Sequence, residues 1–227
     1  SIIGAQKTHE LHQLRSMLLE NAATRAAFTA QDIFFSLHPQ PDDSIEYLVT
    51  IPSIGVTQTE TLKQLNLQPV KIAGHNGYLI RADSLQKDFY IALKDGNIWV
   101  GSFSKPLLEQ SINYKPTSNN NFNLLSGQQH TTSLGNLYVN YQQTGKLLDQ
   151  FYKGNQSDLW KGLCKMPATT ALSLNYKSDA LMFNGFTNFK EGSPISYLDL
   201  FRNMTPVELS LHNIFPITTA YSNSYGV

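Results

Sequence analysis

Phe89-Tyr90-Ile91-Ala92-Leu93-Lys94-Asp95-Gly96-Asn97-Ile98-Trp99-Val100-Gly101-Ser102 is the stretch that decides the fold. Phe89, Ile91 and Leu93 fall two residues apart and share one face of a strand. Ile98 and Val100 alternate with Trp99 and Gly101 in the same way. Asp-Gly between two alternating runs predicts a hairpin, because a type I′ turn needs positive φ at both central residues. Working outward, residues 70–73, 78–82, 89–94 and 97–103 predict an antiparallel meander, with His75-Asn76-Gly77 turning its first pair. Ser104 follows as a helix cap, with Pro106 in the first turn and Leu107, Leu108 and Ile112 behind it.

Upstream, Leu11, Leu14, Leu18 and Ala22 recur at spacings of three and four, which predicts a helix over residues 6–28. Strands are expected at 33–37 and 45–51, joined by the turn chemistry of Pro39-Gln40-Pro41-Asp42-Asp43. A short helix is expected from Thr59. Residues 114–133 are one long polar stretch, read as a link between two halves. Beyond it the pattern predicts a strand at 137–141 and helices at 147–152 and 159–165. A hairpin at 170–176 and 180–189, a helix at 197–203 and a strand at 208–214 complete the reading. The expected fold class is α+β: antiparallel sheets with a meander and hairpins, backed by helices on one face. The expected organisation is residues 1–113, the linker 114–133, and a second α+β half over 134–227. Two similar halves and a single packed domain are both open.

Composition narrows the function classes. The chain has 227 residues, 17 basic and 17 acidic, with formal net charge +0. Nucleic-acid binding needs a basic face, and no three Lys or Arg adjoin, so this class is set aside along with a polybasic membrane patch. Charged residues are 15% of the chain, against about 25% typically. Asn, Gln, Ser and Thr replace them. Cys164 is the single cysteine, so no intrachain disulfide forms, and its apolar surroundings suit a buried structural thiol. No run of about 18 apolar residues marks a membrane span. The chain opens on Ser1 and reads as a piece of a longer protein.

The sharpest catalytic pattern is Ser102-Phe103-Ser104-Lys105 with Tyr138-Val139-Asn140. Ser-x-x-Lys and Tyr-x-Asn occur together in penicillin-binding proteins and β-lactamases, where Lys activates the Ser nucleophile. There the Ser opens a helix, whereas here Ser102 ends a strand. The third element, Lys-Thr-Gly, is absent, since Thr144-Gly145-Lys146 has the wrong order. Ser102, Lys105 and Tyr138 are nonetheless the best local candidates for an enzyme. His9 and His12 share a helix face but miss the zincin spacing by one residue. No metal site and no cofactor is expected. Tyr78, Tyr90, Trp99 and Phe103 lie on expected strands, and an exposed aromatic face could bind a glycan, a peptide or a protein. The competing reading is that they fill the core.

The segment Ala92–Ser102 resembles one blade motif of the β-propellers in sensor domains of bacterial two-component regulators. A propeller repeats its motif every 40 to 50 residues or so, and this one occurs once. A wider resemblance is to a family of large bacterial envelope proteins of unknown function. It rests on an order of features. Phe89-Tyr90-Ile91-Ala92-Leu93-Lys94-Asp95-Gly96 leads to Val100-Gly101-Ser102-Phe103-Ser104-Lys105-Pro106-Leu107-Leu108-Glu109. Leu181-Met182-Phe183-Asn184-Gly185-Phe186, Tyr197-Leu198-Asp199-Leu200-Phe201 and Ile214-Phe215-Pro216 follow. The resemblance implies an extracytoplasmic body with a membrane anchor outside this sequence, and it supplies no catalytic residues. The expectation is therefore a non-enzymatic binding module with a protein, glycan or lipid partner. A serine hydrolase-like enzyme and a structural spacer are the alternatives.

Overall fold

The computed structural model describes residues 5–20, 22, 25, 31–42, 44–52, 67–115, 132–151, 158–177, 180–189 and 204–205. The chain divides into two compact units, Ser1–Asn188 and Phe189–Val227. The elements below belong to the first, except for Phe189, the last residue of the final strand. The expected helices at 59 and 197–203 and the strand at 208–214 lie outside the described residues, as does most of 114–133.

The fold is α+β with antiparallel sheets. Six strands form the larger sheet: β1 Phe34–Pro39, β2 Ile45–Pro52, β3 Gln68–Ile72, β4 His75–Ala82, β5 Lys87–Lys94 and β6 Ile98–Ser102. Their spatial order is β1-β2-β6-β5-β4-β3. The meander β3 to β6 thus folds back until β6 lies against β2, with Val49 opposite Gly101 and Ile51 opposite Trp99. The expected Asp95-Gly96 turn is present, with φ of 50° and 76°. Asn97 N–H donates to Lys94 O at 3.2 Å and closes it. The ladder then resumes at Lys94 opposite Ile98, leaving Asn97 as an extra residue just before β6. That is a bulge, which sharpens local twist.

The first turn of the meander is a correction. His75, Asn76 and Gly77 lie inside β4, and the turn is Ala73-Gly74, with φ of 50° and 82°. Ile72 faces His75 across it. Ala seldom adopts positive φ, so the pair does not read as a turn in sequence.

Both faces of the six-stranded sheet are covered, where helices on one face were expected. On one side Tyr47, Val49, Ile51, Phe89, Ile91 and Trp99 pack with Leu14 of α1 (Ala5–Arg15). On the other, Leu48, Ile72, Ala92 and Val100 pack with Leu107 and Leu108 of α2 (Lys105–Asn113). A sheet buried twice needs nearly continuous apolar strands, and Tyr47-Leu48-Val49 and Ile91-Ala92-Leu93 supply them. Gly101 keeps one face open for an aromatic ring, because a Cβ there would fall 2.7 Å from Phe89 Cζ. Ser104 caps α2 as expected, its hydroxyl accepting from Leu107 N–H at 3.4 Å.

Of the helix expected over residues 6–28, Ala22 and Arg25 are helical and the rest of 21–28 lies outside the described residues. Before them, the α-helical part runs over Ala5–Arg15 and widens into a π-helical turn over Ser16–Glu20. The extra residue in that turn rotates the apolar phase, so Met17 and Leu19 meet the core beside Leu11 and Leu14.

A second sheet has the order β7-β8-β9: Gly135–Asn140, Ala168–Lys177 and Ala180–Phe189. Helices α3 (Tyr141–Phe151) and α4 (Asp158–Lys165) stand between β7 and β8 in the chain. Helix α3 starts six residues before the expected 147. Asn140 accounts for the start, because its Oδ1 accepts Gln142 N–H at 3.2 Å and its carbonyl accepts Thr144 Oγ1–H at 2.7 Å. Gly145 hides the helix in sequence, since mid-helix glycine is unfavourable. Its place follows from packing: a Cβ at Gly145 would fall 3.0 Å from the Cβ of Cys164 on α4.

Candidate functional site

Ser102 is fully buried at the last position of β6. Its hydroxyl donates to Tyr47 O at 2.7 Å and accepts Ser104 N–H at 3.0 Å. A hydroxyl held this way ties β2 to β6 and sets the entry to α2. Its proton goes to the backbone carbonyl of Tyr47. Lys105 opens α2 and is partly exposed, while Tyr138 stands on β7 of the other sheet, opposite Ala171. Strand, cap and helix start therefore account for Ser-x-x-Lys.

Of the four aromatic candidates on the larger sheet, Trp99 is buried, and Tyr78, Tyr90 and Phe103 are partly buried. Trp99 is buried in the cluster under α1. Phe103 makes edge contacts with Phe89 and Tyr47 at centroid distances of 5.0 and 5.8 Å. Tyr78 packs against the cluster under α1, and Tyr90 against the one under α2. Period-two alternation shows which residues share a face, but not which faces a further layer covers.

One charged cluster sits beneath α1. Glu10 is fully buried and pairs with Lys87 of β5 and with Lys7 at 3.1 Å. Lys7 also reaches Glu46 at 3.3 Å. The Lys7 contacts are close ion contacts without hydrogen-bond geometry, so Glu10 Oε2 and Glu46 Oε2 keep no hydrogen-bond partner. Burial first, then the carboxylates of Glu10 and Glu46, push the Tyr47 phenol well above its ordinary range. Two carboxylates face two ammonium groups, so the cluster balances and pins α1 to the sheet. His9 and His12 are exposed on α1, and burial lowers the pKa of His38, whose ring lies 2.8 Å from Ser36 Oγ. Among the described residues no three His, Cys, Asp or Glu side chains converge to hold a metal.

Ile33, Phe34 and Phe35 at the β1 edge of the larger sheet are exposed, and a larger group of exposed apolar side chains lies in the second sheet. Leu137 faces Leu172 across β7 and β8, and Gly135 faces Leu174, so these share one face with Tyr176. Thr170 Oγ1 and Thr187 Oγ1 lie 2.8 Å apart, which puts Thr187 of β9 on that same face. Alternation then carries Gly185, Phe183 and Leu181 with it. Leu181 is 65% exposed and Phe183 54%; on the opposite face of the same strand, Met182 is 44% and Phe186 58% exposed. Every residue from Ala180 to Phe186 is exposed. Within the described residues β9 is an edge strand, and its ten residues carry no charge and no proline. Glycine is required at 185, because a Cβ there would fall 1.8 Å from Ala171 O on β8.

The aromatic reading of the sequence found the larger sheet and missed this surface. The available signal was Leu181-Met182-Phe183, three large apolar residues in a row in an uncharged strand. Among the described residues no helix is long and apolar enough to cross a membrane. No protein-family model matches the chain, and neither a curated protein nor a solved structure matches it.

Proposed function

We propose that this chain is a non-enzymatic interaction module from the extracytoplasmic part of a bacterial envelope protein, and that it holds a protein partner through β9. The observation that carries the reading is the exposure of Leu181, Met182, Phe183 and Phe186 on both faces of one edge strand. A long, uncharged, apolar edge presents unpaired N–H and C=O groups to any strand that reaches it. Strand addition uses those groups for affinity and the alternating side chains for selectivity. The order of sequence features shared with large envelope proteins supports the extracytoplasmic setting. Ser102 supports the non-enzymatic part, because its hydroxyl is engaged in joining β2, β6 and α2.

Site-specific photocrosslinking in cells tests the reading. A photoreactive residue at position 183 in the parent protein should yield discrete protein adducts. The same residue at Arg81, exposed on β4, should yield few. Equal adduct formation at both positions contradicts the reading, and so does recovery of the parent protein in the cytosolic fraction.

A further inference from the structure

We infer that the strand completing this edge comes from a second copy of the chain, paired antiparallel to β9 about a two-fold axis at Phe183. The inference deepens the interaction-module reading and rests on it. Among the residues whose exposure is described, the exposed run of β9 is Ala180-Leu181-Met182-Phe183-Asn184-Gly185-Phe186, with Phe183 at its middle. A closed dimer with two-fold symmetry brings the same patch together from both subunits, so residue i meets j and j meets i. Centring the pairing on Phe183 sets Leu181 opposite Gly185, Met182 opposite Asn184 and Ala180 opposite Phe186. Each large apolar side chain then faces a smaller or polar one, and the two Phe183 rings meet at the axis. Strand pairing across such an edge gives the exposed side chains of both faces lateral neighbours at once.

Charge favours the same occupant. Like charges directly opposite each other destabilise a strand pair, and self-pairing of a charged strand produces them. No residue of Ala180–Phe189 is charged. With 17 basic and 17 acidic residues the whole chain is neutral, so two copies meet without long-range repulsion. The far edge of the larger sheet is built the other way. Strand β3 carries exposed Pro69 and Lys71, both of which deter a further strand. Joining two copies at β9 would turn two three-stranded sheets into one of six strands.

The test is the solution mass of the full chain and of three variants across a wide concentration range, each first shown to be folded by circular dichroism. Wild type is expected to approach about twice its 25.4 kDa subunit mass. Phe183→Lys and Phe183→Glu should each stay monomeric, since each places like charges at the axis. Mixing the two should restore a one-to-one dimer, an outcome that damage to the fold cannot mimic. Ile33→Lys, which changes an apolar residue 47% exposed outside the second sheet, should dimerise like wild type. A wild type that stays monomeric overturns self-pairing, as does a dimer indifferent to both Phe183 variants or a mixture that fails to associate. Monomeric wild type with adducts of a different protein at position 183 would leave the interaction-module reading standing and remove only the self-pairing.

Discussion

The two sheets differ in where most of their apolar side chains lie, although Phe34 and Phe35 of β1 are also exposed, at 42% and 43%. In the larger one, Tyr47, Phe89, Trp99 and Val100 are buried between α1 and α2, and its β3 edge is guarded by Pro69 and Lys71. In the smaller one, Leu181, Met182, Phe183 and Phe186 stand exposed on an uncharged edge strand. The first arrangement serves stability, since apolar area removed from water is the main favourable contribution to folding. The second leaves apolar surface in water, and large exposed apolar patches mark contact sites. The contrast teaches that aromatic content alone does not locate a binding surface. Coverage by a second layer decides it.

Matched substitutions break or sharpen this contrast. Phe89→Ala should lower stability by about 4 kcal/mol, the usual cost of truncating a buried Phe. Phe183→Ala, measured by denaturant unfolding at monomeric concentration, should stay within about 0.5 kcal/mol of wild type, as for a surface change. Similar losses in the two variants would show that β9 is covered within the chain. Gly185→Ala comes next. Its obstacle is the backbone carbonyl of Ala171, so a loss near the upper end of overpacking, about 3 kcal/mol, is expected. That variant should also abolish any association through β9, because β9 would no longer lie flat against β8.

Two smaller effects concern the larger sheet alone. Ser104→Ala removes the cap of α2 and should cost about 1 kcal/mol in thermal or chemical unfolding, without changing association. Asp42 gives the smallest effect. Its carboxylate accepts from Ser44 Oγ at 2.7 Å and from Ser44 N–H at 3.1 Å, which hold its pKa below the ordinary value. A depressed folded-state pKa means that the ionised form stabilises the turn above the unfolded-state value. That contribution fades as pH falls through the folded-state pKa. An NMR titration should place the Asp42 midpoint below that of an unstructured peptide, and Asp42→Asn should remove this pH dependence from the β1–β2 turn.

The fold was legible where a residue's own conformational preference matched its duty. Asp95-Gly96 announced its turn because both residues tolerate positive φ, and Ser104 announced its helix through cap chemistry. Ala73-Gly74 did not, because only the surrounding ladder holds Ala73 at a φ of 50°. Helix α3 was obscured by Gly145, whose place is fixed by the approach of Cys164, a contact remote in sequence. The candidate site was less legible for a related reason. Tyr78, Tyr90, Trp99 and Phe103 alternate as binding aromatics would, yet Trp99 is buried and the other three are partly buried against the clusters under α1 and α2. The run from Ala180 reads as an ordinary hairpin strand, and only the three-dimensional arrangement shows it uncovered. Ser102 shows the converse, a catalytic spacing produced by a strand end and a cap.

Amide hydrogen exchange at low and high protein concentration tests the central claim most directly. If a second copy completes β9, the alternate amides of Ala180–Phe186 that point away from β8 exchange fast in dilute protein. They should become protected as concentration rises, while the amides of β5 stay unchanged throughout. Protection in β9 that is already complete at the lowest concentration, or that never appears at the highest, would contradict the account.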